Sequence, residues 1–389
     1  MTRNTEVVVL GGGYAGVMAA NRLTQRDDVT VTLVNPRPEF VERIRLHQVA
    51  AGSGEATVRF GDVLAERVRL RVGTATRIDV AGRRVELADG GTAAYDYLVY
   101  AVGSGSAVRD VPGAAEFAHP LTTLEEARLL RPVVADAAAV TVVGAGPAGI
   151  EVAAELAEAG RAVTLVCGGP LGPYLHPKGR RVVARRLAAL GVTVLDGPGS
   201  TVGAVTREAV RLGDGRVVPS PVTVWTAGFG VPDLAARSGL STDAAGRLRT
   251  DETLTSVDDD RVVAAGDSAS PSDLPYRMGC QSAVQLGPQA AETVLSRLRG
   301  ERPAPAEVGF AGQCLSLGRR AGLFQFSRRD DTAIGLHLGG RPGAWLKELV
   351  CASTVKQLAA EGRKPGARKW WVKDARREEL LRAGAPAGR

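Results

Sequence analysis

Two glycine fingerprints, each between a β-branched apolar run and an alanine-rich stretch, constrain this chain more than any other feature. Their glycines occupy the G-x-G-x-x-G positions, namely Gly11, Gly13 and Gly16 in the first and Gly144, Gly146 and Gly149 in the second. The first glycine of such a turn allows the tight bend, the second lets the backbone approach a pyrophosphate, and the third lets helix pack on strand. The start of the helix then offers N–H groups and a positive dipole end to the phosphates. Two fingerprints therefore predict two dinucleotides held against each other, the arrangement that passes a hydride from a nicotinamide to a flavin.

The pattern around each fingerprint predicts an α/β fold. Strand and helix signals alternate, which favours parallel sheets with helical crossovers. Predicted strands at 5–10 and 29–34 flank a helix at 14–25, and the pattern restarts with strands at 139–143 and 162–166 around a helix at 147–159. A length of 389 residues suits two or three domains. Beyond residue 303, short strands at 308–340 and a helix at 343–360 indicate a small C-terminal region.

Composition narrows the class of protein. With 44% hydrophobic residues and a mean hydropathy of −0.01, the chain is typical of a soluble globular protein, and its few cysteines fit a reducing cytoplasm. The first residues lack the apolar region of a signal peptide, and no apolar run has the length of a membrane span. The four cysteines are widely spaced, which argues against a metal cluster and against dithiol chemistry. We therefore expect no metal site.

Positive charge is concentrated at the C-terminal end. Residues 341–389 hold 12 basic and 5 acidic residues and so account for the whole net charge of +7. Three of the four tryptophans, Trp345, Trp370 and Trp371, lie there too. This combination suits a peripheral contact with a membrane surface. The alternative is that the 343–360 helix packs on the body of the protein or on the partner in a homodimer. We expect no nucleic acid as a partner.

Two strand ends lack the carboxylate that commonly binds a ribose. Asn35 occupies this place after the first fingerprint and Cys167 after the second. Asn35 can still accept a hydrogen bond from a ribose hydroxyl. Without a carboxylate at Cys167 nothing repels a 2′-phosphate, so NADH and NADPH are both plausible substrates. Gly266 and Asp267 follow another apolar run, where the Asp267 carboxylate can bind the hydroxyls of a flavin's ribityl chain or, alternatively, cap a helix.

The order of these motifs resembles that of flavoproteins with two dinucleotide-binding domains. The resemblance implies FAD on the first fingerprint and NADH or NADPH on the second. It also implies a discontinuous FAD domain at 1–112 and 240–303, an inserted NAD(P)H domain at 113–239, and a C-terminal interface or membrane-surface region at 304–389. The residues implied for FAD are Gly11, Gly13, Tyr14, Ala15, Gly16, Asn35, Arg43, Ala101, Gly103, Gly266, Asp267 and Ala283. Those implied for the nicotinamide cofactor are Gly144, Gly146, Pro147, Ala148, Gly149, Cys167 and Gly228.

Within that family the chain is most similar to the type II NADH dehydrogenase branch. Residues 280–287 read C-Q-S-A-V-Q-L-G and resemble its A-Q-x-A-x-Q-Q-G motif, with Cys280 and Leu286 as departures. The resemblance implies that Gln281 and Gln285 lie at the quinone pocket, one helical turn apart, with both amides directed to one place. Residues 43–52 resemble the branch's L-x-Y-Q-V-A-T-G stretch, with His47 in place of the tyrosine.

Two titratable residues are candidates for catalysis. The resemblance places Glu151, which follows the second fingerprint, where nicotinamide meets the flavin ring; alternatively the carboxylate simply stabilises the start of its helix. His47 is a candidate proton donor to a quinol oxygen, since histidine titrates near neutrality, or else a local hydrogen-bond partner. Arg43 suits FAD phosphate or an acidic side chain.

The function predicted from the sequence is hydride transfer from NAD(P)H to FAD, followed by two-electron reduction of a quinone without proton pumping. Three alternatives remain. The chain could be a tailoring reductase of a specialised metabolite, as the Leu286 and His47 departures favour. It could instead be a reductase of ferredoxin or rubredoxin, or a flavin-bound interaction protein similar to apoptosis-inducing factors.

Overall fold

The computed structural model describes residues 4–106, 111–367 and 375–383. The elements up to residue 106 are Thr5–Leu10 (β1), Tyr14–Leu23 (α1), Val29–Asn35 (β2), Glu39–Val41 (β3), Leu46–Ala51 (α2), Thr57–Arg59 (β4), Val68–Val72 (β5), Ala75–Asp79 (β6), Arg84–Leu87 (β7), Thr92–Ala94 (β8), Tyr97–Tyr100 (β9) and Gly105–Ser106 (β10). Those from 111 to 239 are Ala114–Phe117 (α3), Ala118–Pro120 (β11), Leu124–Asp136 (α4), Ala139–Val143 (β12), Pro147–Glu158 (α5), Ala162–Val166 (β13), Pro177–Ala189 (α6), Thr193–Leu195 (β14), Val202–Val205 (β15), Ala209–Leu212 (β16), Val217–Pro219 (β17), Thr223–Trp225 (β18), Phe229–Gly230 (β19) and Leu234–Arg237 (α7). The remainder are Leu248–Thr250 (β20), Val262–Ala264 (β21), Ala269–Pro271 (β22), Cys280–Leu298 (α8), Gly312–Ser316 (β23), Gly322–Ser327 (β24), Ala333–Gly339 (β25), Gly340–Arg363 (α9) and Ala375–Ala383 (α10).

The first fingerprint lies on a five-stranded parallel sheet in the order β21–β9–β1–β2–β5. The apolar run of β1 explains its central place, because Val7 and Val9 are buried on the face that packs on α1 and α8, and Leu10 is buried on the face that packs on β6–β8 and α7. Strand β21 pairs with β9 although about 160 residues separate them in the chain. The late strand that ends before Gly266 therefore completes the sheet that begins with the first fingerprint.

A second five-stranded parallel sheet repeats this plan in the order β11–β18–β12–β13–β14. Its β12–α5–β13 unit matches β1–α1–β2, with the second fingerprint in the same turn. The predicted α/β class with two Rossmann-like units is thus confirmed. The exact domain limits given above stay a prediction.

The C-terminal part consists of the antiparallel sheet β23–β24–β25 followed by α9, as the pattern indicated. Asn21 in α1 donates hydrogen bonds to the carbonyls of Val63 and Leu358 at 2.8 and 3.0 Å, which fixes the end of α9 on the first sheet's helices. Nearby, the buried Arg22 pairs with Glu361 and, at 3.0 Å, with Glu292. Helix α9 is therefore packed against the body of the protein.

The packed face of α9 only partly matches the predicted apolar series of Trp345, Leu349, Ala352, Val355 and Leu358, since Leu358 is fully buried and Val355 partly buried but the first three are not. Trp345, Leu349 and Ala352 are exposed, whereas the buried positions are Gly343, Lys347, Cys351, Thr354, Leu358 and Glu361. The physical reason is close packing, because a side chain at Gly343 would run into the carbonyl of Gly322 in β24. Trp370 and Trp371 lie outside the described residues. Among the helices that are described, none has the length and apolarity needed to cross a membrane.

Candidate functional site

A cleft of about 1940 Å³ lies at the carboxyl ends of the two parallel sheets. Both fingerprint turns line it, as do the residues that follow β2, β9, β13 and β21. Pockets for small ligands commonly have 300–1,000 Å³, so this cleft has room for more than one such ligand. Ligands of parallel α/β sheets bind at this edge.

The glycines of the fingerprints provide a test of what the cleft holds. A side chain at Gly11 or Gly16 would collide with backbone of the protein itself, at Ala101 and Gly11 respectively. Gly144 and Gly149 are constrained in the same way by the second domain. A Cβ on either middle glycine, Gly13 or Gly146, would instead meet no atom within 4 Å and would project into the cleft. Protein packing does not require these two glycines, but a bound pyrophosphate does, so both turns fit a dinucleotide.

Almost every residue that the sequence predicted for the site lines this cleft; only Gly16 and Gly149 do not, since they pack their helices against the turns. Those in the cleft are Gly11, Gly13, Tyr14, Ala15, Asn35, Arg43, His47, Ala101, Gly103, Gly144, Gly146, Pro147, Ala148, Glu151, Cys167, Gly228, Gly266, Asp267, Gln281, Ala283 and Gln285.

The strand-end residues hold the turns in place. Asn35 Oδ1 accepts a hydrogen bond from the Gly12 N–H at 2.9 Å, and its amide nitrogen donates to the Arg37 carbonyl at 2.8 Å. Asn35 therefore fixes the first glycine turn at the edge where a ribose would lie. Burial raises the pKa of the Cys167 thiol to about 12, so this strand end carries no charge at neutral pH.

Asp267 joins the two parts of the first domain. Its Oδ2 accepts a hydrogen bond from Ser104 Oγ at 2.7 Å, and its Oδ1 accepts one from the Gly279 N–H at 2.8 Å, immediately before α8. Arg43 Nη1 lies 3.7 Å from the carboxylate and donates to Ser104 Oγ at 3.1 Å. Asp267 thus receives an N–H at the start of a helix, as in the capping alternative, while it remains at the cleft.

Three residues that line the cleft have a buried polar side-chain atom without a hydrogen-bond partner among the described residues, and two of these atoms lie near the fingerprints. They are the hydroxyl of Tyr14, whose ring packs edge-on against Phe40, and Nε2 of His47. Buried polar groups are almost always satisfied. Unpartnered atoms that line a cleft therefore indicate the place of a ligand, here beside the first fingerprint and beside Glu151.

A buried ion pair lies between the two fingerprints. Glu151 of α5 lies 2.9 Å from Lys347 Nζ of α9, accepts a hydrogen bond from the Ser316 N–H at 2.9 Å, and lies 3.6 Å from Nδ1 of His47. Burial raises the pKa of Glu151, but Lys347, His47 and the Ser316 N–H outweigh it, so the net pKa falls below the ordinary range. Burial likewise lowers the pKa of Lys347, but Glu151 outweighs it and the net pKa rises. The site therefore holds a carboxylate and an ammonium in contact, both shielded from water.

His47 does not have the charge state that proton donation by an imidazolium requires. Burial lowers its pKa to about 4, and the neighbouring Glu151 only partly opposes this. The ring is therefore neutral at physiological pH. The prediction of a histidine that titrates near neutrality is wrong here, because the side chain is almost completely buried.

Lys347 is a candidate site residue that sequence reasoning missed. It lies in the middle of α9, far along the chain from Glu151, and the apolar spacing directed attention to the opposite helix face. A signal did exist, since Gly343, Lys347, Cys351, Thr354 and Leu358 recur at three- and four-residue steps as one face of a helix.

Gln281 and Gln285 do point to one place, but that place is the backbone of residues 309–312. Gln285 Nε2 donates to the Gly309 carbonyl at 3.0 Å, and its Oε1 accepts from the Gly309 N–H at 3.1 Å. Gln281, with its amide oxygen and nitrogen exchanged, donates to the Gly312 carbonyl at 3.1 Å and accepts from the Ala311 N–H at 3.0 Å. The predicted convergence of both amides on a shared ligand is therefore corrected, because a buried extended segment needs these groups as partners.

Beyond these glutamines the cleft continues into an apolar lobe. The lobe is the part of the cleft lined by the start of α8, residues 309–314 and α9; its apolar lining includes Tyr276, Met278, Phe324 and Val350, and Ser353, Thr354 and Gln357 of α9 add polar groups. Lys347 and Glu151 line the same cleft, and Lys347 lies on α9 three residues before Val350. One cleft thus connects two dinucleotide sites, a buried ion pair and an apolar chamber.

Comparison with known proteins agrees with this arrangement. The family model described as pyridine nucleotide-disulphide oxidoreductase matches residues 5–293. An NADH dehydrogenase-like protein of Mycobacterium tuberculosis is 30% identical over 353 residues, covering 82% of this chain and 87% of its own. The type II NADH:quinone oxidoreductase Ndh of the same organism is 29% identical, over 78% of this chain and 75% of its own. The structure of NDH2 from Plasmodium falciparum in complex with NADH superposes with a TM-score of 0.77 at 14% identity, covering 93% of this chain and 98% of that one.

Proposed function

The chain belongs to the pyridine nucleotide-disulphide oxidoreductase family and is an FAD-dependent oxidoreductase of NAD(P)H, and we propose that it delivers the electrons to a quinone without pumping protons. The observation that carries the proposal is the continuity of the cleft. The two dinucleotide turns, the apolar lobe and the Glu151–Lys347 pair all line this one cleft. A flat, lipophilic acceptor such as a quinone suits the lobe. The relative Ndh of M. tuberculosis is a type II NADH:quinone oxidoreductase.

The proton balance of this reaction assigns a task to the buried pair. NAD(P)H, one proton and a quinone give NAD(P)⁺ and a quinol, so each turnover takes one proton from solvent. Bound FAD would supply the hydride-accepting and electron-transferring chemistry, so that of the two protons in the quinol one would derive from the hydride and one from solvent. As a buried cation, Lys347 stabilises negative charge that develops on the acceptor oxygen, and the proton taken from solvent completes the quinol. Glu151 keeps Lys347 charged, and the neutral His47 ring borders the same cleft.

The nicotinamide donor is proposed as NADH or NADPH. The turn of the second fingerprint takes the pyrophosphate, and Cys167 at the next strand end carries no charge that would repel a 2′-phosphate. Asn35 occupies the corresponding place in the first domain, where it keeps the turn that receives FAD in shape.

We further propose that the enzyme works at a membrane surface on the cytoplasmic side. Four exposed apolar side chains lie on β25 and the first half of α9, namely Leu336, Leu338, Trp345 and Leu349. The basic excess of residues 341–389 complements anionic lipid, and tryptophan favours the interface. A homodimer formed through the same side chains is the competing outcome. Flotation with anionic vesicles distinguishes the two, since Trp345→Ser would abolish vesicle binding in the first case and dimerisation in the second.

The acceptor is tested by steady-state NAD(P)H oxidation with oxygen excluded. The acceptors to compare are quinones with short and long isoprenoid tails, a ferredoxin, and no acceptor. We expect quinones to support turnover, with a lower KM for longer tails because of the apolar lobe. Turnover with ferredoxin alone would contradict the proposal and favour the ferredoxin reductase alternative.

A further inference from the structure

Helix α8 carries three glutamines at four-residue spacing, Gln281, Gln285 and Gln289, so their side chains lie along one face. That face is directed at the chain between Pro303 and β23. Residues 301–311 belong to no helix or strand, yet they run extended alongside α8. The peptide groups of this segment thus need hydrogen-bond partners from outside the sheets.

The glutamines provide those partners in a regular series. Gln289 donates to the carbonyl of Glu307 at 2.8 Å and accepts from its N–H at 2.6 Å. Gln285 forms the same pair with Gly309, at 3.0 and 3.1 Å. Gln281, with its amide oriented to satisfy both partners, donates to Gly312 at 3.1 Å and accepts from Ala311 at 3.0 Å.

The spacing explains why the series continues over three steps. Four residues of α-helix rise by about 6 Å, and two residues of extended chain by about 6.6 Å. Consecutive glutamines therefore meet alternate peptide groups, as the edge of a β-strand would. We call this set of six hydrogen bonds the glutamine ladder. On the other side of the segment, Ala306, Val308 and Phe310 are buried in the core of the first domain.

The ladder leaves Gln285 with no spare N–H. A glutamine amide has two N–H donors, and Gln285 directs one to the Gly309 carbonyl and the other to the Gln281 carbonyl, at 3.0 and 2.8 Å. Gln289 uses both of its donors in the same way, on Glu307 and on the Gln285 carbonyl. These amides therefore act on the backbone, and a bound acceptor would have to break a buried pair to reach them.

We propose that Gln281 and Gln285 are positioning residues: through the glutamine ladder they set the register of residues 309–312, the wall of the apolar lobe. This inference rests on the proposed function only in naming the occupant of that lobe. The wall continues into β23, where the Ser316 N–H donates to Glu151. A slip of the segment would therefore misplace both the lobe and a partner of the buried carboxylate.

The test compares Gln285→Met with Gln289→Met in the FAD-loaded enzyme. Both variants lose one pair of ladder bonds, and both side chains are similarly buried, at 8% and 9% exposure. Gln285 and Gly309 line the cleft, whereas Gln289 and Glu307 do not. The measurements are hydrogen–deuterium exchange of residues 305–314, the rate of anaerobic flavin reduction by NADH, and the KM for a short-tail quinone.

For Gln285→Met we expect faster exchange at residues 309–312 and a quinone KM higher by about 10-fold or more, in line with the cost of misplacing a binding wall by about 1 Å. The flavin reduction rate should stay within about twofold. For Gln289→Met we expect faster exchange at residue 307 and a quinone KM within about twofold of the parent.

Two results would overturn the proposal. A raised KM in Gln285→Met with unchanged exchange would mean that the side chain contacts the acceptor itself. Faster exchange with an unchanged KM would mean that the register does not govern acceptor binding. If Gln285→Met fails to retain FAD, Gln285→Glu serves instead, since it keeps the acceptor for the Gly309 N–H and loses the two N–H donors to the Gly309 and Gln281 carbonyls. If no quinone oxidises the parent enzyme's flavin, the proposed function fails, while the exchange measurement still decides whether the ladder exists.

Discussion

Replacing Lys347 by methionine removes the cation of the buried pair while keeping most of the side-chain volume. The two side chains are 6% and 7% exposed, so the Glu151 carboxylate would be left in a site with little access to water. Breaking a buried ion pair in this way costs about 3–5 kcal/mol. Because Glu151 keeps its bond from Ser316 and can take up a proton, we expect the lower end, about 3 kcal/mol.

The pH dependence of this loss follows from the pKa of Glu151. In the parent protein that pKa is lowered, so the contribution of the carboxylate is fully present above the ordinary glutamate range and is lost only as the pH falls through the lowered value. In Lys347→Met burial acts with less opposition and raises the pKa of Glu151. The neutral form then stabilises the variant at low pH, and this stabilisation is lost as the pH rises. The deficit relative to the parent should therefore be larger at pH 7.5 than at pH 5.5.

The assay is urea unfolding of the FAD-loaded protein followed by tryptophan fluorescence at the two pH values. Lys356→Met is the matched control, since Lys356 lies on the same helix and is exposed. The double variant Glu151→Gln/Lys347→Met should recover part of the loss, because it leaves no buried charge. A Lys347→Met protein as stable as the Lys356→Met control at both pH values would refute the reasoning.

Three further predictions concern the cleft. Burial lowers the pKa of His47 to about 4, so a plot of the quinone-dependent kcat/KM from pH 5.5 to 8 should show no inflection near pH 6.5. An inflection there that disappears in His47→Phe would contradict the buried, neutral ring. Gly13→Ala should leave the fold intact by circular dichroism but lower the FAD content, and Gly146→Ala should retain FAD and raise the NADH KM by about 10-fold or more, since each new methyl would occupy the space of a pyrophosphate. An unchanged FAD content in Gly13→Ala together with an unchanged NADH KM in Gly146→Ala would show that neither glycine is needed for a pyrophosphate. Cys167→Asp should raise the preference for NADH over NADPH by about 10-fold or more, measured as the ratio of the two kcat/KM values, because the new carboxylate would repel a 2′-phosphate.

The sequence predicted those parts of the fold in which local pattern and tertiary structure agree. Strand β1, helix α1 and strand β2, and their counterparts in the second domain, each bury an apolar run beside a glycine turn. In each unit the apolar runs and the glycine turn lie within a few tens of residues of one another along the chain. The same holds for α8 and the strands of the C-terminal sheet. The cleft could be predicted because its turns are themselves the sequence signal.

The remaining parts depend on partners that are distant in the chain. Nothing near Lys347 indicates a carboxylate on α5, and the spacing of Trp345 and Leu349 does not reveal that Gly343 must approach Gly322. The motif around Gln281 and Gln285 indicated the right place, but the direction of a glutamine amide depends on which backbone lies beside it. The charge of His47 required knowledge of its burial. Each of these errors concerned an environment and not a local conformation.

The most direct test of a quinone as the electron acceptor is to reduce the bound flavin with NADH in the absence of oxygen. The reduced enzyme is then mixed with a quinone in a stopped-flow instrument. We expect the quinone to reoxidise the flavin faster than air-saturated buffer does, at a rate that saturates with quinone concentration. Lys347→Met should slow this phase while leaving the reduction by NADH within about threefold of the parent. Reoxidation by every quinone no faster than by oxygen would contradict the assignment of a quinone as the acceptor.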